Sequence, residues 1–517
     1  MIIEESGDHV WLVCAQSFLC LGESGRNLAQ GVKRVRFMRE QVLLYINGRR
    51  HLVAQGLALL SLSDYLRHEL GLVGTKIVCS EGDCGACTVL VGRPRDGRLR
   101  YHSVDSCIQF MFQLDGTHVV TVEGLSPGGQ LNTVQQAMID CHGSQCGFCT
   151  PGFVVAMTGM LEDCDRLAEA DMRYGLTGNL CRCTGYMPIM EAGLGIDADA
   201  HLRLEEMYPS VAMLAEFAKT ADDNLELSAA CGQRRHLLFS PTDLRSAVGF
   251  LGAHPEATII AGATDVGVRI NKSHLLPETI LDLNRLAELE AVSVEGDRLV
   301  LGARASWTTI EGLCQRLVPQ FHEIVSLFGS PQIRNVGTIG GNIVNASPIA
   351  DSLPFLFVME AQLELESSAG TRQVNINDFY LGYKQLDLEP GELLTRVLVP
   401  LPEENEILRL YRVSRRRDLD ISSFSAAIRM RLDGHMISDA KIAYGAVGPT
   451  ILRAQRTEDF LCGLPLTEAT MRQAGDFAVD EVTPISDVRG SADYRYQLTR
   501  NVLLKFYHEQ QPAVLVA

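Results

Sequence analysis

Cys79, Cys84 and Cys87 stand in C-x4-C-x2-C spacing, and Cys107 lies twenty residues beyond Cys87. Thiolates so placed suit a [2Fe–2S] cluster of the plant type, because each iron needs two sulfurs and one tight loop presents three of the four. Gly82 and Gly85 let that loop fold closely and aim N–H groups at the cluster. A four-cysteine zinc site is the rival, but zinc knuckles pair one C-x2–4-C with another, and no second pair follows closely. A second group joins Cys146 and Cys149 (C-x2-C) to Cys181 and Cys183 (C-x-C). Cys141 precedes Cys146 by five residues and repeats the first spacing, so spacing leaves open whether Cys141 or the C-x-C pair completes this site. The local sequence leans toward the pair, which stands in a loop bounded by Gly178 and Gly185.

Two glycine loops have the character of an anion cradle. The run Ile259-Ile260-Ala261-Gly262-Ala263-Thr264-Asp265-Val266 takes an apolar strand into a turn. Gly262 and Gly267 have P-loop spacing, yet Val268-Arg269 replaces the Lys-Ser/Thr that would meet phosphate and Mg²⁺. No G-x-G-x-x-G follows a strand, so a Rossmann dinucleotide site is not supported. The second loop, Gly337-Thr338-Ile339-Gly340-Gly341-Asn342, precedes Ala346-Ser347-Pro348 and Asp351. Consecutive glycines there are expected to form a nest of backbone N–H groups, and the two loops together to clamp a pyrophosphate.

These groups sit in a chain of 517 residues, enough for roughly three to four domains. The net charge of −17 argues against nucleic acid as a partner. No run approaches the ~20 apolar residues of a membrane helix. The apolar stretch from Trp11 to Leu21 follows Glu4, Glu5 and Asp8, the reverse of a secretory n-region, so a cytoplasmic protein is expected. Nine of the fifteen cysteines lie in the two groups and their immediate surroundings, and a reducing compartment makes clustered thiols redox or metal ligands before disulfides. Cys14, Cys20, Cys164, Cys231, Cys314 and Cys462 are isolated and read as core residues.

Certain elements must position these groups. Residues 1–37 carry no clear periodicity and are expected as a poorly ordered extension. From Val42 to Ala54 the pattern is strand, Asn47-Gly48, strand, the signature of a type I′ hairpin. Ser61 or Ser63 caps a short helix through Leu70, with Gly71 after it. Strands near Thr88–Val91 and His118–Val122 complete a small β-grasp-like domain. Helices are expected at Thr133–Ile139 and from Thr150-Pro151, with Thr150 as N-cap, while residues from about 196 to 230 read as a linker with some helix. Beyond 232 the chain becomes α+β, with strands at Ala257–Ala261, Thr279–Leu283 and Leu299–Gly302 and a helix over Thr242–Leu251. Further strands fall near Ile407–Val413, Phe424–Met430 and Ala440–Tyr444, before a helix over Thr467–Val482.

The stretches Cys79-Ser-Glu-Gly-Asp-Cys-Gly-Ala-Cys-Thr88, Gln145-Cys-Gly-Phe-Cys-Thr-Pro-Gly152 and Gly178-Asn-Leu-Cys-Arg-Cys-Thr-Gly-Tyr186 together resemble the iron–sulfur module of the molybdenum hydroxylases. That family includes xanthine dehydrogenases, aldehyde oxidases and carbon monoxide dehydrogenases. The A-G-x-T-D loop followed by T-I-G-G-N and A-S-P-x-x-D is similar to the family's FAD domain. The resemblance assigns the second cluster to Cys146, Cys149, Cys181 and Cys183 and leaves Cys141 as a structural thiol. It implies FAD contacts from Ile259 through Val266, Phe328, Thr338 through Asn342, Asp351 and Leu394. The family's flavin-proximal lysine falls at Arg412, which keeps the charge but changes the donor geometry.

By the same resemblance the chain is a multidomain α+β protein. It holds a β-grasp plant-type ferredoxin domain (38–126), a helical-bundle [2Fe–2S] domain (127–200), and a linker (201–231). An α+β FAD-binding domain of the molybdenum hydroxylase, vanillyl-alcohol-oxidase-like type (232–403) and a C-terminal α+β flavoprotein domain (404–517) follow. The order most resembles the small subunit of a bacterial two-subunit xanthine dehydrogenase. That implies electrons moving from a molybdenum cofactor on a partner chain, through two [2Fe–2S] clusters, to FAD and then NAD⁺, with xanthine oxidised to urate. The implied partner is a molybdopterin-containing large subunit in an α2β2 assembly. An aldehyde or N-heterocycle hydroxylase with another acceptor, and a zinc-stapled interaction protein without redox chemistry, are the alternatives. No catalytic acid or base is expected here, since the family keeps that chemistry on the molybdenum chain.

Overall fold

A computed structural model describes residues 38–197, 199–231 and 234–510. The expectation for the N-terminal extension lies outside the described residues, as do Cys14 and Cys20.

The first sheet grows from the hairpin. Asn47 and Gly48 both take positive φ (48° and 76°), as a type I′ turn demands, and join strands Gln41–Ile46 and Arg49–Ala54 in antiparallel register. Ser61 accepts a hydrogen bond from the Asp64 N–H to cap the short helical segment that runs on to Glu69, and Gly71 (φ 69°) follows it. Strands Thr88–Arg95, Arg98–Asp105 and Thr117–Val120 complete five strands. Gln41–Ile46 and Thr117–Val120 pair in parallel at the centre, the mixed sheet of a β-grasp domain. The strand expected to reach Val122 stops at Val120.

Four helices follow, Thr133–Asp140, Thr150–Leu161, Glu169–Gly175 and Met187–Leu194. Asn132 and Gln135 form a capping box at the first. The second starts one residue earlier than expected: Cys149, not Thr150, is the N-cap, so Thr150-Pro151 occupies the first turn. The stretch read as a linker with some helix carries a strand besides. It holds helices Leu204–Met207 and Val211–Thr220 and then strand Asn224–Cys231. That strand pairs antiparallel with Arg234–Ser240 and lies in one sheet with Thr279–Asp282 and Thr258–Ile260. Its alternating Leu225, Leu227 and Ala229 are buried together with Leu44, Phe110 and Ile260, so the first sheet and the next share one hydrophobic core.

A third five-stranded sheet, this one wholly antiparallel, runs through Val292–Glu295, Arg298–Gly302, Leu393–Pro400, Gln362–Ser367 and Gly370–Asn375. The C-terminal sheet joins Glu406–Val413, Phe424–Asp433, Met436–Gly445 and Leu452–Arg453, backed by helices Glu468–Val479 and Ala492–Gln510. Thr467 caps the former, which ends at Val479 rather than Val482. Among the described residues no helix is long and apolar enough to cross a membrane.

Candidate functional site

Eight cysteines fall into two groups of touching thiols. In the first, Cys79 is hydrogen-bonded to Cys107 and Cys84, and Cys107 also to Cys87. Gly82 and Gly85 take positive φ (75° and 66°) to close the loop, and the Asp83 N–H donates to Cys79 Sγ at 3.4 Å. Donation from Cys107 and Cys84 holds the Cys79 thiol far below its ordinary range, while the same contacts push Cys84 and Cys107 up. Cys87 and Cys107 are buried, walled by Ile108, Val268 and Ile333.

In the second group Cys146 is hydrogen-bonded to Cys183, and Cys149 to Cys181. The Phe148 N–H and the Cys183 thiol lower Cys146, whereas burial and then Cys181 push Cys149 up to about 12. Cys146 and Cys183 are exposed, and around them Phe148, Leu180, Tyr186 and Met187 turn apolar surface outward. Cys141 is half-buried and packs into the core of the helical region instead. Cys314 is buried and Cys164 packs against a core, but Cys462, expected inside, is exposed at the C-cap of helix Gln455–Leu461.

Among the described residues no three His, Cys, Asp or Glu side chains close around a point as a single-ion site would. The thiols meet as a chain, Cys84–Cys79–Cys107–Cys87, in the first group and as two pairs in the second, and four neighbouring thiols are the donor set that two irons with two thiolates each require. As a donor set, each quartet therefore fits a [2Fe–2S] cluster.

The two loops lie back to back. The Leu180 N–H, next to Cys181, donates to the Cys84 carbonyl at 3.0 Å. A Cβ at Gly85 would stand 2.4 Å from the Gly178 carbonyl oxygen, and one at Gly152 would stand 2.2 Å from the Gly85 carbonyl oxygen. Only glycine permits this approach.

The flavin loops meet at a cleft of about 590 Å³ lined by Thr258 through Val266, Thr338, Gly341 and Asn342, with Trp307, Asn345 and Lys384. Gly262 is the point of contact, since its Cβ would stand 2.0 Å from the Val336 carbonyl oxygen. Ala263 turns the loop at φ 60°. The expected glycine nest is absent: Thr338 caps helix Ile339–Val344, its hydroxyl accepting the Gly341 N–H at 3.1 Å, and neither Gly340 nor Gly341 takes positive φ. Gly340 instead lets the helix approach Ala303, whose carbonyl oxygen would lie 2.7 Å from a Cβ.

The remaining expected contacts lie apart from this lining. Ile339 and Leu394 are buried in the core. Phe328 stands behind Trp307 in an edge-on ring contact at 4.9 Å. Asp351 and Arg412 form a buried pair at 2.9 Å, with Ser422 donating to Asp351 at 2.5 Å. Burial raises the Asp351 carboxyl and the Arg412 guanidinium opposes that shift. Sequence reasoning missed Trp307 and Lys384. Trp307 is one of only two tryptophans in the chain, the sole hint of its place.

Helix Val266–Ser273 ties cleft to thiols. Val266 lines the cleft, Val268 packs on Cys87 and Cys107, and Asn271 donates to the carbonyls of Ser80 (3.0 Å) and Cys107 (2.8 Å). Lys272 donates to the Cys79 carbonyl at 2.7 Å. Its eight residues span about 12 Å. Two quartets of cysteine thiols and a cleft between two glycine-containing loops, on one such scaffold, are the parts an iron–sulfur flavoprotein requires.

Comparison with known proteins gives the lineage. Residues 121–194 match a [2Fe-2S] binding domain, residues 232–402 the FAD binding domain in molybdopterin dehydrogenase, and residues 409–510 the CO dehydrogenase flavoprotein C-terminal domain. Xanthine dehydrogenase 1 of Arabidopsis thaliana is 30% identical over 540 residues, covering 90% of this chain and 39% of that protein. Aldehyde oxidase 1 of Macaca fascicularis is 30% identical over 524 residues, covering 91% and 39%. A solved chain of carbon monoxide dehydrogenase from Hydrogenophaga pseudoflava superposes with a TM-score of 0.50 at 30% identity, over 52% of this chain and 94% of that one. The chain belongs to the molybdenum hydroxylase family, of which it carries [2Fe–2S]-binding, FAD-binding and C-terminal flavoprotein domains. It spans 39% of the length of the curated relatives named here.

Proposed function

We propose that this chain is the electron-transfer subunit of a xanthine dehydrogenase, with one [2Fe–2S] cluster on Cys79, Cys84, Cys87 and Cys107 and another on Cys146, Cys149, Cys181 and Cys183. The observation that carries the reading is serial order. The exposed quartet abuts the buried one through Leu180 and Cys84, and the buried one abuts the cleft through helix Val266–Ser273. Bound clusters would carry one electron at a time and a bound flavin one or two, which suits a converter between a molybdenum site on a partner chain and NAD⁺.

The residues supply position and insulation. Ile259 through Val266, Thr338, Gly341 and Asn342 would line the FAD, with Phe328, Ile339, Gly340 and Leu394 behind them. Asp351 and Arg412 hold one another at the edge of the C-terminal sheet, and a flavin reaching them would meet a paired rather than a free charge. Val268, Ile108 and Ile333 keep water from Cys87 and Cys107. The exposed apolar rim of Phe148, Leu180, Tyr186 and Met187 suits cover by a molybdopterin-containing large subunit, in an α2β2 assembly by analogy with the family.

The test is direct. Purified protein should carry about four irons in two EPR-distinct [2Fe–2S] centres and one FAD, should oxidise NADH with ferricyanide, and should form NADH from xanthine only once the molybdenum chain is added. Colourless, zinc-containing protein would overturn the redox reading. Likeness to an aldehyde oxidase at equal identity favours one second reading, an aldehyde or N-heterocycle hydroxylase with another acceptor. Turnover with NAD⁺ against artificial acceptors separates the two.

A further inference from the structure

One short turn of the flavin-binding region, Pro331–Arg334, enters the seam between both thiol loops. Its Ser330 cap stands where a Cβ on Gly178 would be 2.5 Å away. Ile333 packs on Cys87, Cys107 and Ile108. Arg334 is almost wholly buried, pairs with Glu311 at 3.1 Å and lies over the Tyr174 ring at 4.8 Å. Asn335, next along, donates to the Ser103 carbonyl at 2.8 Å. Three residues further, Thr338 begins the wall of the cleft.

Gln332 occupies the middle of this seam and is fully buried. Its amide N–H donates to Asn179 Oδ1 at 2.8 Å and approaches the Thr88 hydroxyl at 3.3 Å. Asn179 in turn donates to the Gly85 carbonyl at 3.1 Å, and the Thr88 hydroxyl donates to the same carbonyl at 2.6 Å. The chain of donors fixes the amide's orientation and leaves Gln332 Oε1 without a hydrogen-bond partner among the described residues, facing Gly178, where a Cβ would stand 2.2 Å away. A buried acceptor without a partner is destabilising, because it gives up its hydrogen bonds to water and gains none. The arrangement therefore stabilises the seam less than a well-packed apolar side chain would, and what it gains is a directional link between Gly85 in one thiol loop and Asn179 in the other.

We propose that Gln332 is a positioning residue that sets the spacing of the two thiol loops and ties both to the wall of the flavin cleft. The inference rests on the reading that each quartet holds a [2Fe–2S] cluster. An apolar side chain in place of the amide should loosen the spacing while every cysteine remains a ligand. Magnetic coupling between two reduced clusters falls steeply with distance, so a spread of spacings erases a defined interaction without erasing either signal.

The experiment compares the complete protein with Gln332→Met and Gln332→Leu, the first keeping an unbranched side chain so that folding is preserved if the second fails. Iron and flavin content are measured first, then the EPR spectrum and its power saturation in the half- and fully reduced states. The expected result is full iron and flavin, both signals present, and loss of the defined interaction seen in the unsubstituted protein. An interaction indistinguishable from the unsubstituted protein's overturns the proposal. Loss of a whole cluster from both variants also overturns it, since Gln332 would then support a site rather than space two. Absence of two [2Fe–2S] signals from the unsubstituted protein is a separate result, which removes the underlying reading instead.

Discussion

The two thiol quartets have the same donor chemistry and opposite surroundings. The first is the more enclosed, with Cys87 and Cys107 each 2% exposed and apolar side chains from two regions against them, while Cys79 and Cys84 are half-buried. The second has Cys146 and Cys183 at the surface among outward-facing Phe148, Leu180, Tyr186 and Met187. The more enclosed centre is placed to exchange electrons with neighbours built into the same fold, whereas the more open one can meet a separate chain. The contrast thus gives the molecule an inside end, toward the flavin cleft, and an outside end.

The largest effects should come from removing single thiols. Cys181→Ser is expected to abolish one EPR signal and about half of the iron, leaving the other signal intact, and Cys107→Ser to do the converse while also lowering the melting temperature, because it opens a buried contact. Cys141→Ser should leave both signals, and loss of either would assign the ligands differently. Next in size is the seam between the quartets. Gly85→Ala combines positive φ with a 2.4 Å approach to Gly178 and should cost about 2–5 kcal/mol in denaturant melts; an unchanged midpoint would mean the two loops are not held in contact. On the flavin side, Gly262→Ala should lower FAD stoichiometry with both iron signals retained, since its Cβ would strike the Val336 carbonyl. Gly341→Ala meets nothing nearer than Thr338 Oγ1 at 3.0 Å and should retain the flavin better. Gly341→Val should weaken retention by bulk within the cleft, not by backbone strain.

A smaller effect tests whether the enclosed side owes its rigidity to the sheet beneath it. Buried His118 accepts the Gly48 N–H on Nε2 at 3.0 Å and shares a 2.7 Å hydrogen bond with the Tyr101 hydroxyl through Nδ1. A proton on Nε2 would break the first bond, and burial pushes the imidazole down to about 4. The unfolded chain protonates near 6.5, so the stability tied to the neutral ring is complete above that pH and is lost as pH falls toward 4, by up to about 3 kcal/mol. Melts between pH 7 and 4.5 should show that slope, and His118→Gln should flatten it.

The smallest effect concerns the basic run Arg415-Arg416-Arg417, a candidate to attract the phosphates of NAD⁺. Arg416 is already paired with Asp420 at 2.6 Å and Arg415 donates to the Val488 carbonyl. Replacing all three with Ser should therefore raise the NAD⁺ KM only modestly and in a salt-sensitive way. An unaltered KM would leave them as a structural turn.

What the sequence alone determined was local. Cysteine spacing named the first quartet, because a cluster loop must present its sulfurs within a few residues, but left the second open between Cys141 and the C-x-C pair until the family resemblance decided for the pair, and Asn47-Gly48 announced its hairpin because only certain residues accept φ > 0 at both turn positions. Periodicity found helices Thr133–Asp140, Thr150–Leu161, Leu244–Ala253 and Glu468–Val479 to within a few residues, but not Val266–Ser273, Trp307–Leu317 or Ala492–Gln510. Tertiary structure decided the rest, through contacts between residues far apart in the chain. Strand Asn224–Cys231 was hidden in an apparently polar linker, since half of its residues face away from the core that recruits it. Gly340-Gly341 read as a nest, but Thr338 capping and the nearby Ala303 carbonyl make it a helix start. No spacing rule could seat Gln332 beside Asn179 and Gly85, or pair Asp351 with Arg412. Nor could it enclose one quartet and leave the other open. Burial and hydrogen-bond partners at these positions come from surfaces that meet only after folding, which a one-dimensional pattern does not contain.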